Sequence, residues 1–70
     1  MNRRPVNSSA MVAVGYDPAT EALEIEFHEG RVSFYSGVPE SVHEGLISAT
    51  SQGSYFAENI KGRYAYVQGR

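Results

Sequence analysis

Apolar and polar residues alternate most regularly over 22–28, where Leu23, Ile25 and Phe27 interleave with Glu24, Glu26 and His28. A period of two puts one set on each face of a strand, so this segment predicts a strand with one buried face. A shorter alternation at 11–16 places Val12, Val14 and Tyr16 on one side. Asp17-Pro18-Ala19-Thr20 supplies the turn between the two strands, with proline presetting φ at the second turn position. A third strand is predicted at 31–36, after Glu29-Gly30.

The hairpin between the second and third strands has two registers. With a two-residue loop, Phe27 faces Val32 and Ile25 faces Phe34; Phe34 is then in the core and Tyr35 points outward beside Glu24. That loop asks Glu29 to take a positive φ, whereas a three-residue loop needs it only of Gly30. In the second register Ile25 opposes Ser33 and Leu23 opposes Tyr35, which turns Tyr35 inward and Phe34 outward, because a one-residue slip reverses every side chain. Both registers stay open at this point.

Val38-Pro39 ends the third strand. Pro39 suits a first helical turn and Glu40 suits a helix N-terminus, so a helix is predicted to run to about Thr50, with Val42, Leu46 and Ile47 as its apolar stripe. Gly53 offers a left-handed exit, and Ser54 an N-cap for a second, short helix. Phe56 and Ile60 stack within that helix at i, i+4 before Gly62 stops it. Residues 63–67 are read as a last strand or an extended tail. The fold class is therefore α+β: a small three- to four-stranded antiparallel β-meander, covered on one face by one longer and one short helix. Leu23, Ile25, Phe27, Val42, Leu46, Phe56 and Ile60 are the expected core. Residues 1–9, polar and without periodicity, are expected to be disordered; 10–67 form the domain and 68–70 a tail.

Seventy residues make one domain with a thin core, which leaves little room for a deep catalytic cleft. The chain has no cysteine, hence neither disulfides nor thiolate metal sites, as a reducing cytoplasm would require. No apolar run approaches the length of a membrane span and the first residues lack a signal-peptide core, so a cytoplasmic location and no membrane partner are expected. The net charge of −2 disfavours strong nonspecific phosphate binding. The charge is uneven, however: seven acids from Asp17 to Glu44 have only Arg31 among them, while Lys61, Arg63 and Arg70 follow the last acid, Glu58.

The arrangement of Ser8-Ser9, Val14-Gly15-Tyr16-Asp17, Leu23, Ile25 and Phe27, Gly30 and Tyr35 before Val38-Pro39, and Ala49, Ser51, Gly53, Tyr55-Phe56, Ile60 and Tyr64 resembles the KTSC domain. This short module is named for its occurrence at the C-terminus of some lysyl-tRNA synthetases and is also found as a stand-alone protein. The likeness spans nearly the whole 10–67 segment. The family's central Tyr-x-Tyr reads Ser33-Phe34-Tyr35 here, so its first tyrosine is replaced, and Tyr64-Ala65-Tyr66 is a different position. The resemblance implies a binding role, with RNA suggested by the synthetase association, and it carries over no catalytic residue.

The residues agree with that role in one place. Bases stack on aromatic faces while cations meet phosphates, and Lys61, Arg63, Tyr64 and Tyr66 interleave the two, with Arg31 and Tyr35 extending the set if the hairpin lies nearby. The plainer reading makes Tyr64 and Tyr66 part of the core and the cations solvated ends. Glu24, Glu26 and His28 share a strand face but read as a solvated surface, so neither metal nor cofactor is expected, and His43 reads as a surface histidine outside the apolar stripe. No nucleophile elbow, P-loop or dinucleotide fingerprint is present, so the chain is read as a non-enzyme. The expectation is a small stand-alone module binding single-stranded RNA, with protein–protein interaction or homo-oligomerisation as the alternative.

Overall fold

The computed structural model describes residues 3–6 and 8–69. Its elements follow the order β1 (Arg3–Pro5), β2 (Met11–Asp17), β3 (Ala22–Phe27), β4 (Val32–Tyr35), α1 (Glu40–Ser48), α2 (Gln52–Asn59) and β5 (Tyr66–Gln68). The strands form one antiparallel meander in the spatial order β1-β2-β3-β4-β5. The fold is thus the predicted α+β class, the expected three or four strands being joined by a short one at the N-terminus.

The three-residue loop sets the β3–β4 register. Gly30 has a φ of +91°, Phe27 N donates to Arg31 O at 2.8 Å, and Leu23 pairs with Tyr35 and Ile25 with Ser33. This leaves Glu29 free of strain. It also turns Tyr35 into the core, 5% exposed, and Phe34 outward.

In β2 the predicted alternation is broken. Met11 pairs with Phe27 and Ala13 with Glu26, so Val12 is an extra residue in a β-bulge. A bulge shifts the phase of everything before it, which puts Met11 rather than Val12 beside Val14 in the core. The core comprises Met11, Val14, Leu23, Ile25, Phe27, Tyr35, Val38, Leu46 and Ile60, with Val42, Phe56, Tyr55 and Tyr64 partly buried against it.

The helix boundaries differ slightly from expectation. Pro39 is the N-cap of α1 in an extended conformation, and α1 ends at Ser48. Ser51, not Ser54, caps α2: its hydroxyl accepts from Ser54 N at 3.3 Å. Gly53 therefore lies in the first turn of α2 and is no exit from α1. Gly62, with a φ of +76°, does turn the chain away from α2. Gly45 lets the two helices meet, because a Cβ there would collide with the Tyr55 hydroxyl and lie 2.6 Å from Tyr55 Cζ.

The segment expected to be disordered contains an ordered strand. Arg3 lies opposite Gly15, which lies opposite Glu24, so the guanidinium reaches across a residue without a side chain to β3. Arg3 Nε meets Glu24 Oε2 at 2.5 Å and Arg3 Nη1 meets Glu26 Oε1 at 3.1 Å. Pro5 is tolerated because β1 is an edge strand. Glu24 is consequently 8% exposed, a correction to the solvated face expected of it. At the other end, Gln68 belongs to β5 and Gly69 N donates to Val32 O at 2.7 Å, so these two expected tail residues are bound to the sheet. Arg70 lies outside the described residues.

Candidate functional site

The predicted aromatic and cationic residues divide into two groups. Arg31, Tyr35, Lys61 and Tyr66 line one cleft of about 140 Å³, together with Phe27 and Phe56. Arg63 and Tyr64 do not line it. The Arg63 side chain turns back to the end of α2, where Nε donates to Glu58 O at 2.8 Å, and Tyr64 packs half-buried against the core.

The cleft forms because β5 pairs with β4, setting Tyr66 opposite Tyr35. The two rings stack with centroids 5.2 Å apart and planes 27° from parallel. Tyr35 in turn meets Phe56 edge to face at 5.7 Å, as does Phe27. Tyr66 remains 59% exposed beside a Tyr35 that is 5% exposed, so the pair is open to solvent on the Tyr66 side. Lys61 and Gly62 reach the cleft from the turn after α2, which the left-handed Gly62 makes possible.

Arg31 enters from the β3–β4 turn. Its guanidinium carbon sits 4.4 Å from the Phe27 ring centroid, and Nη2 meets Glu29 Oε1 at 3.0 Å. Both partners of that ion pair are well exposed, so it holds the guanidinium only weakly and leaves it available to an anion. Burial first, and the Tyr66 phenol second, hold the Tyr35 hydroxyl above its ordinary pKa, while Arg31 pulls it down. Tyr35 thus stays a neutral hydrogen-bonding group at neutral pH.

The fold also sorts the charges. Asp17, Glu21 and Glu40 gather near Tyr16 at the start of β3, and together with burial, which acts most strongly, they raise its pKa. Arg31 and Lys61 lie at the far end of that strand. Glu24 and Glu26 face away from the helices and are engaged by Arg3. His28 is set apart from them, with Nε2 2.8 Å from Ser8 O. His43 stacks on Tyr16 at 4.6 Å, and the Tyr16 hydroxyl donates to Val38 O at 2.5 Å. The cleft residues missed from the sequence are Phe27, Phe56, Ser33 and Gly62. The two phenylalanines carried a clear core signal, and nothing local shows that their edges also face an opening.

A ring-sized cleft, walled by stacked aromatics and flanked by two cations, suits a planar anionic ligand. An engineered cavity of about 150 Å³ holds one benzene, which sets the scale. Among the described residues, no helix is long and apolar enough to cross a membrane.

Known proteins share this architecture. A KTSC domain protein from Yersinia pestis has a crystal structure that superposes with a TM-score of 0.93 at 42% identity, covering 96% of this chain and 94% of that one. A protein of Tsukamurella paurometabola is 39% identical over 64 residues, 91% of this chain and 96% of its own length. A lysine–tRNA ligase of a Nostoc species is 42% identical over 60 residues, 86% of this chain and only 11% of the ligase. The KTSC domain profile matches residues 7–64, which includes both helices and all the cleft-lining residues except Tyr66. With the profile, the fold and the relatives in agreement, the chain belongs to the KTSC domain family.

Proposed function

We propose that this domain is a non-catalytic binding module for single-stranded RNA, with the Tyr66–Tyr35 cleft as its contact point. The observation that carries this reading is the convergence of Arg31 and Lys61 on one opening with a stacked, half-open tyrosine pair. A base laid on the exposed side of Tyr66 gains about 1–3 kcal/mol by stacking, and the two cations supply the phosphate contacts. The similarity to a segment of a lysine–tRNA ligase adds a protein context in which RNA is at hand. Because the chain is net acidic, binding should be modest and should weaken steeply with salt.

Fluorescence anisotropy with a labelled, unstructured RNA at low and physiological salt tests this. Lys61→Glu and Tyr66→Ala should each weaken binding, and Lys61→Glu should leave the thermal melt near that of the wild type, since its side chain is exposed. No binding at low salt, or binding indifferent to both substitutions, would reject the reading.

One observation favours a second reading, a protein contact or self-association. Phe34 and Val67 pair in register on the face away from the helices, at 38% and 69% exposure. Phe34→Ser and Val67→Ser should then abolish association seen by sedimentation while leaving RNA binding unchanged.

A further inference from the structure

The Tyr66 cleft is not isolated. A second, larger hollow of about 400 Å³ adjoins it, and Phe27, Arg31 and Phe56 line both. The far side of that hollow includes His28, Ala10 and Gly53. A third, of about 170 Å³, continues from it through Ser9 and Gly53 to the capping residue Ser51. The three openings therefore run as one seam, from the turn after α2, past the β3–β4 turn, to the first turn of α2.

We infer that the seam binds more than one nucleotide of a single RNA strand, with one base in the Tyr66 cleft, its neighbour in the second hollow, and Arg31 at the divide meeting the phosphate between them. This rests on the proposed RNA reading and deepens it. Among the described residues, Arg31 is the only one with a fixed positive charge that lines both openings. Its planar guanidinium is held over the Phe27 ring and still presents donors, the geometry that suits a phosphate. The second hollow is large enough for a base and offers the Phe27 and Phe56 rings as apolar wall, with Ser9, His28 and the Arg31-paired Glu29 as polar rim. An extended acidic peptide shares the need for cations, but the ring-sized first cleft and the stacked tyrosines favour bases.

Gly53 provides a blocking substitution that should not harm the fold. A Cβ there meets only Ala10 Cβ, at an ordinary 3.7 Å, and the position lies in the first turn of α2, where a carboxylate is welcome. Gly53→Glu should therefore melt no lower than the wild type while adding a second carboxylate to the Glu29 already lining the second hollow.

The experiment is an NMR titration of the whole chain with uridine monophosphate, the 5′-phosphorylated uridine dinucleotide and the tetranucleotide. Wild-type affinity should rise by about tenfold or more from one nucleotide to two, as one further stacked base implies. Gly53→Glu should bind the mononucleotide as the wild type does and lose that rise. Equal wild-type affinity for one and two nucleotides overturns the seam while sparing the cleft, and so does a rise that survives Gly53→Glu. Failure of every length to bind refutes the RNA reading itself. Binding of a glutamate-rich peptide in place of the oligonucleotides assigns the seam to a protein ligand and overturns the inference.

Discussion

Gly45→Ala sets two effects of known sign against each other. Glycine inside a helix costs about 1 kcal/mol relative to alanine, so backbone propensity alone makes this substitution stabilising. At this position a Cβ would collide with the Tyr55 hydroxyl and lie 2.6 Å from Cζ and 3.0 Å from Cε2. The hydroxyl and two ring carbons are involved, so the phenol must withdraw from a site where it packs against the core. Overpacking of this kind costs about 1–3 kcal/mol, which outweighs the propensity gain and leaves a net loss of about 1 kcal/mol. In a domain of this size that lowers the melting temperature by about 4–8 °C. With Tyr55→Leu in place the ring end is gone, and Gly45→Ala should then stabilise by about 0.5–1 kcal/mol. Urea and thermal unfolding of the two single variants, the double variant and the wild type complete the cycle. If Gly45→Ala changes stability by the same amount in both backgrounds, Tyr55 is not what requires the glycine.

Gly30→Ala should destabilise for the opposite reason. A Cβ at Gly30 meets nothing within 4 Å, so the whole cost, about 1–2 kcal/mol, comes from forcing alanine into the left-handed region at φ +91°; an unchanged urea midpoint would contradict this. Leu46→Ala empties a fully buried site beneath α1 and should cost about 2–5 kcal/mol, and a melt like that of the wild type would remove α1 from the core. The raised pKa of Tyr35 disfavours its ionised form in the folded state, so its contribution to stability is complete below the ordinary value of 10.0 and is lost as pH rises through the folded value. Tyr35→Phe should remove that part of the alkaline loss, and superimposable stability profiles above pH 10 for the two proteins would count against the assignment.

What the sequence discloses here depends on how far apart the interacting residues are. The period-two pattern of β3 and the apolar stripe of α1 are local, and both elements appear where the pattern puts them, although Ile47 of that stripe is 39% exposed. The hairpin register was open because Val32, Phe34 and Tyr35 offer apolar side chains to either face, and only the backbone requirement at Gly30 separates the two. β1 had no local signature at all. It is ordered by Arg3 reaching Glu24 and Glu26, more than twenty residues away, across a strand whose Gly15 leaves the way clear. The bulge at Val12 was hidden for a related reason, since one extra residue leaves composition unchanged while reversing the faces before it. For the site, residue type led to Lys61, Tyr66, Arg31 and Tyr35. The separation of Arg63 and Tyr64 from them follows from the turn at Gly62, a three-dimensional fact that charge and aromaticity along the chain do not contain.

The proposed RNA contact is tested most directly by mapping an unstructured tetranucleotide onto the amide resonances of the isotopically labelled protein at low salt. The account predicts perturbations concentrated at Arg31, Tyr35, Lys61, Gly62 and Tyr66, diminishing as salt rises, with Glu24, Phe34 and Val67 on the opposite face unmoved. Perturbations centred on Phe34 and Val67, or a spectrum unchanged at saturating tetranucleotide, would contradict it.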